Sequence, residues 1–148
     1  MDMHAAFAGH AEIRLLLDAW SQALHDRNAD ALAGLCSDDV LVFDLAPPLA
    51  SRGAAMQAQR HRDWFATKRG PIEEELHELR ITGDGDVAWG AGFARLRATE
   101  TDGTPLDLWM RLTIGFERRN GAWHVAHTHG SVPFHMDGSL RAAFELRP

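Results

Sequence analysis

A chain of 148 residues that is 45% hydrophobic and 24% charged is long enough to bury a core and too apolar to stay disordered. Its 15 Lys+Arg against 21 Asp+Glu leave a formal net charge of -6, and no basic cluster exceeds Arg118-Arg119, which argues against a nucleic-acid partner. The single Cys36 excludes an intrachain disulfide and fits a reducing, cytoplasmic compartment. No run is apolar enough to span a bilayer, and MDMHAAFAGHAEIR has neither the basic start nor the apolar stretch of a secretory signal. The whole chain, 1–148, is expected to form one domain.

From Ala11 to Arg27, apolar residues at Ile13, Leu16, Leu17, Trp20 and Leu24 form one stripe of an amphipathic helix. Asn28 or Asp30 can cap a second, short helix carrying Ala31, Leu32 and Leu35. Val40 to Asp44 reads as a strand with apolar residues on both faces, stopped by Pro47-Pro48. Gly53 precedes a third helix to about Lys68 that carries Met56, Trp64 and Phe65. Strands follow over Ile72–Ile81, Val87–Glu100, Leu106–Arg118 and Trp123–Pro133, separated by Gly83-Asp84-Gly85-Asp86, Asp102-Gly103 and Asn120-Gly121. A break in alternation between Leu76 and Leu79 predicts a bulge in the first of these. Met136 to Pro148 is expected as a last helical turn or an edge segment. Helices first and a curved antiparallel sheet second make an α+β cone whose open end would hold a ligand pocket.

The helix–helix–strand opening, the phrase SDDVLVFDLAPPLASRG (Ser37–Gly53) and the ending NGAWHVAHTHGS (Asn120–Ser131) together resemble the nuclear transport factor 2-like superfamily. More narrowly, they resemble its SnoaL-like and ketosteroid-isomerase-like bacterial proteins. The resemblance implies a cystatin-like cone, with helices closing a conical pocket and a homodimer formed through the outer sheet face. In ketosteroid isomerases the phrase similar to DDVLVFD ends in the proton-shuttling aspartate, which falls on Asp44. The oxyanion-hole tyrosine of that family falls on Trp20, and its second donor, an aspartate, falls near Leu112, Thr113 and Ile114. The chain has no tyrosine at all. The resemblance therefore implies the base without the electrophile, which argues against true steroid isomerisation. The ending is also similar to the association (hub) domain of calcium/calmodulin-dependent kinase. That likeness implies a non-catalytic oligomerisation or ligand-binding module in which Trp123, His127, His129 and Ser131 are architectural.

Among the residues themselves, Asp44 is the first candidate: a carboxylate ending an apolar strand can act as a general base. Its bland alternative is a cap on the turn before Pro47-Pro48. Strict alternation would put Trp123, Val125, His127, His129 and Ser131 on one face of the last strand. If Asn120-Gly121 is a two-residue turn, that face is shared with Met110, Leu112 and Ile114. With a three-residue loop, a polar set of Arg111, Thr113, His127, His129 and Ser131 collects beside Trp109, fit for an anionic or carbonyl group or for a dimer seam. Two histidines without a clear third ligand are more often hydrogen-bonded than metallated, so no metal is expected, and no cofactor. The remaining histidines, His61 and His77 among them, read as surface or tail residues. Trp20, Trp64, Trp89 and Trp109 would line a pocket for a flat apolar ligand; core filling is the alternative, and the better one for Trp64 and Trp89. Gly90, Gly92 and Ala94 leave room for sheet curvature or a ligand. Glu73-Glu74-Glu75 reads as solvated. The function these residues favour is proton transfer on a small hydrophobic or aromatic carbonyl compound: isomerisation, cyclisation or dehydration. Asp44 would be the base, His127 or His129 the acid, Arg111 and Ser131 would hold polar groups, and Trp20, Trp64 and Trp109 would wall the site.

Overall fold

The computed structural model describes residues 7–148; residues 1–6, with His4, lie outside the described residues. Helix α1 (His10–His25) buries Ile13, Leu16, Leu17 and Leu24, the stripe that its 3.6-residue period dictates. Helix α2 (Ala29–Gly34) follows at once. Of the two caps on offer the fold uses Asn28, whose side-chain oxygen accepts the Ala31 N–H at 3.0 Å. Asp30 is left free for an ion pair with Arg62 at 3.0 Å.

Strand β1 (Cys36–Phe43) begins four residues before the expected Val40 and stops one residue short of Asp44. Strand β2 (Ser51–Arg52) pairs with it through Leu41 and Val42. Helix α3 (Ala54–Phe65) ends three residues earlier than expected. The reason is Lys68, which opens strand β3 (Lys68–Asp84) and is drawn inside, 2.9 Å from Glu100 on the neighbouring strand. Strands β4 (Val87–Glu100), β5 (Pro105–Arg119) and β6 (Ala122–Ser131) complete the meander. The six strands form one curved, unclosed sheet in the order β2-β1-β6-β5-β4-β3, with β1 running parallel to β6 and the other pairs antiparallel. The tail is neither helix nor strand; a bridge from Phe134 to Ala142, the His135–Glu145 ion pair and the buried Ala143 hold it.

The predicted irregularity in β3 is present: the register with β4 shifts between His77 and Arg80, with Glu78 at φ 54°. Gly92 of β4 lies opposite. A β-carbon there would meet the His77 carbonyl oxygen at 2.8 Å and the Leu79 backbone at 2.8 and 2.9 Å, so the bulged strand closes onto bare backbone. The helices pack on one face of the sheet, over a core that includes Ile13, Leu16, Val40, Ile114, Phe116 and Val125. A second cluster, with Leu24, Leu32, Phe65, Ile72 and Leu96, closes the other end. The opposite, outer face is open and laced with ion pairs, among them Arg95–Asp107 at 2.8 Å and Arg97–Glu73 at 2.9 Å.

Candidate functional site

Between the helices and the inner face of the sheet lies a cavity of about 320 Å³. Its wall is mostly aliphatic, because inward positions on β1, β4 and β5 are Val40, Val42, Leu96, Leu108, Met110 and Ile114. Trp20 of α1, Phe43 of β1 and Trp64 of α3 supply the aromatic part. Trp64 is therefore more than the core filler that its sequence context favoured.

Helix α3 contributes polar groups on the same side. Gln57, Arg60, His61 and Trp64 are spaced i, i+3, i+4 and i+7, so they share the face turned to the cavity. Arg60 donates to Asp44 Oδ2 at 3.2 Å and to the Pro47 carbonyl at 3.4 Å, while its Nε is buried without a partner among the described residues. Asp44 also accepts the Leu45 N–H at 2.7 Å, and its side chain is 50% exposed. The aspartate thus sits at the cavity's edge, with one oxygen on backbone and the other on a guanidinium. His61, expected at the surface, is instead packed against Phe65 (5.6 Å between ring centres) and Trp20 (6.2 Å). Burial lowers its pKa and favours the neutral imidazole, partly offset by the Gln57 carbonyl and the Asp44 charge. Its Nδ1 is buried without a partner among the described residues. Cys36 also borders the cavity, but burial pushes its thiol up to about 12, and it donates weakly to the Leu32 carbonyl at 3.5 Å. That removes it as a nucleophile at neutral pH.

Glu74 is the residue whose sequence context misled. Its strand alternation, Ile72–Glu74–Leu76, places it inward, opposite Leu96 and on the cavity wall. Burial pushes its carboxyl up to about 7. Glu74 itself is half-buried, while its neighbours Glu73 and Glu75 lie on the outer face, where both pair with Arg97.

The last strand divides what simple alternation would have kept together. Asn120-Gly121 forms the two-residue turn, with Arg119 opposite Ala122 and both turn residues at positive φ (53° and 79°). The register then shifts: Phe116 pairs with Val125 and Gly115 with His127, leaving Ala126 as an extra residue. Before this bulge, Trp123 and Val125 are buried with the core. After it, Thr128 and Gly130 border the cavity, and His127, His129 and Ser131 turn to the outer face. The polar set with Arg111 and Thr113 does assemble there, through a bulge rather than a three-residue loop. Arg111 Nε donates to Ser131 Oγ at 3.2 Å, and Thr113 faces His129.

His127, His129, Arg111, Ser131 and Trp109 are accordingly absent from the cavity wall that holds Asp44, Trp20 and Trp64. Trp109 packs on His77 instead, with ring centres 4.6 Å apart. His127 Nδ1 lies 2.7 Å from the Leu41 carbonyl, which assigns the proton to that nitrogen, and Phe43 meets both imidazoles edge-on at 5.0 and 5.4 Å. Trp89, expected in the core, is on the outer side and 52% exposed. Among the described residues no three His, Cys, Asp or Glu gather as a metal site, and no helix is long and apolar enough to cross a membrane.

Fold and cavity together define an α+β cone, a half-open barrel with an apolar pocket under its helices. Residues 13–135 match the SnoaL-like domain family, and the chain belongs to that family within the nuclear transport factor 2-like fold. A nuclear transport factor 2-like protein of unknown function from Pseudomonas putida is 30% identical, with 97% of this chain and all (100%) of that one covered and a TM-score of 0.82. A candidate calcium/calmodulin-dependent protein kinase II association domain from Xanthomonas campestris is 24% identical over 86% of this chain and 91% of that one, with a TM-score of 0.73. A candidate dehydratase of the nuclear transport factor 2-like family from Streptomyces avermitilis is 16% identical over 82% and 93% of the two chains, with a TM-score of 0.71. No curated protein matches the chain.

Proposed function

We propose that this protein binds a small hydrophobic or aromatic carbonyl compound in the cavity and moves a proton on it, as an isomerase, cyclase or dehydratase would. The observation that carries the reading is the cavity itself: about 320 Å³, apolar on most of its wall, with few polar groups converging on it. Ligand pockets run from about 300 to 1,000 Å³, so this one suits a ligand of one or two rings. Asp44 is the proposed base, with Trp20 and Trp64 as the walls. Arg60 holds the carboxylate in place at the cavity's edge. Enolisation needs only a base and an acid, so no cofactor is invoked. The likeness to a candidate dehydratase adds fold-level support alone.

The reading is tested without knowing the natural substrate. Incubated in deuterium oxide with 2-tetralone or 1-indanone, the protein is expected to exchange the protons next to the carbonyl, followed by NMR. Asp44→Asn should fold normally and slow that exchange by at least about a hundredfold. Ketones that bind but never exchange would leave a binding module and no enzyme.

A second reading concerns the outer face, proposed as the seam of a homodimer. Trp109 and Phe93 are half-buried on it and Trp89 is exposed, an apolar set unusual for a free sheet face. Light scattering should then give twice the chain mass, and Trp89→Asp should shift the protein towards monomer. A monomeric wild-type protein would remove this seam.

A further inference from the structure

Glu74 differs from the other acids near the cavity in having nothing to pair with. No hydrogen bond or ion pair reaches it from the described residues, whereas Asp44 has Arg60 and the Leu45 N–H. Across the sheet it faces Leu96, and its neighbours on the inner side of its own strand are Ile72 and Leu76. The titratable and charged groups that share the cavity are Arg60 and His61 from α3, Cys36 from the start of β1 and Asp44 just past its end. Helix α1, β4 and β5 turn only uncharged side chains to it. A leucine would complete this wall at no electrostatic cost, so the carboxyl is a polar group placed where its partner must come from outside the chain.

A neutral carboxylic acid in such a wall is a hydrogen-bond donor. We propose that Glu74 is the catalytic acid of the cavity and that it selects ligands bearing a carbonyl oxygen, to which it donates its proton. This rests on the carbonyl reading above. In the forward step Asp44 takes a proton from the carbon next to the carbonyl. The C–H electron pair becomes the enol double bond, and the carbonyl π pair takes the proton of Glu74. Asp44 ends as the acid and Glu74 as the carboxylate. Return of both protons, with carbon protonated at the same or a conjugated position, restores the protein and yields starting ketone or its isomer.

The test compares 2-tetralone with tetralin, the same bicyclic skeleton without the oxygen, by isothermal titration from about pH 5.5 to 8.5. With wild-type protein, affinity for 2-tetralone should fall about tenfold as pH rises through about 7, while that for tetralin stays flat. Glu74→Gln, whose amide donates at every pH, should hold 2-tetralone with no such fall, and Glu74→Leu should bind both compounds alike. His61 is present in every variant, so a pH effect of its own would persist in Glu74→Gln. That persistence would overturn the assignment, as would a wild-type ratio of the two affinities that does not vary with pH. Failure of both compounds to bind at every pH would overturn the pocket reading and Glu74's part with it. The same ketone bound with a flat profile would overturn Glu74's part alone.

Discussion

Glu74→Gln is expected to raise the melting temperature by about 6 °C near pH 8 and to leave it unchanged near pH 4. Burial raises the Glu74 carboxyl from 4.5 to about 7. The folded protein therefore holds that proton more tightly than the unfolded chain does. Below 4.5 both states are protonated and the group costs nothing extra. As pH rises from 4.5 to about 7 the unfolded chain ionises first, and stability falls through that window. Above it the full cost is present: about 3 kcal/mol from the shift alone, reduced to about 2 kcal/mol by the water an open cavity admits. Glutamine fills the same space without a charge to bury. Calorimetry at the two pH values is the check. An equal gain at both would trace the effect to packing, and no gain at either would mean that Glu74 is as well solvated as its neighbours.

Gly92→Ala is expected to destabilise the fold by about 3 kcal/mol at every pH, measured by urea denaturation. The added methyl would come within 3 Å of three atoms of the β3 bulge, all backbone: the His77 carbonyl oxygen and the Leu79 nitrogen and α-carbon. A flexible side chain could step aside, but a strand fixed in the sheet cannot. The same methyl at Gly121 meets no atom within 4 Å, and only its positive φ of 79° opposes it. Gly121→Ala should therefore cost only about 1 kcal/mol. If Gly92→Ala costs no more than that, the β3 backbone at the bulge can move aside.

Element order and type were legible because each helix carries its apolar stripe, and the turns between strands are marked by Gly-Asp, Asp-Gly and Asn-Gly pairs. The β3 bulge could be read from the lapse between Leu76 and Leu79, which no unbroken strand could bury on one face. Ala126 left no such mark, because Trp-His-Val-Ala-His-Thr-His alternates plausibly in either phase. Only the pairing with β5 decides which phase holds. Hence Asp44 and Trp20 could be placed on the cavity side from the sequence, whereas for His127 and His129 pocket and seam stayed open until the β5 pairing set them on the outer face. Glu74 and His61 were legible in principle. Alternation from Ile72 fixes the first, and the helical spacing from Gln57 to Trp64 fixes the second. Residue type points the other way at both positions, since charged and imidazole side chains are ordinarily outside.

The Ala126 bulge makes the two walls of this sheet interchangeable currencies of one strand. Thr128 and Gly130 on one side and His127, His129 and Ser131 on the other are separated by a single residue of chain length. Loss of that residue would rotate three potential proton carriers and hydrogen-bond donors inward without altering a single one of them. Within this architecture, a one-residue insertion or deletion can therefore replace a pocket's chemistry more completely than several point substitutions, and relatives of similar sequence need not share a catalytic set.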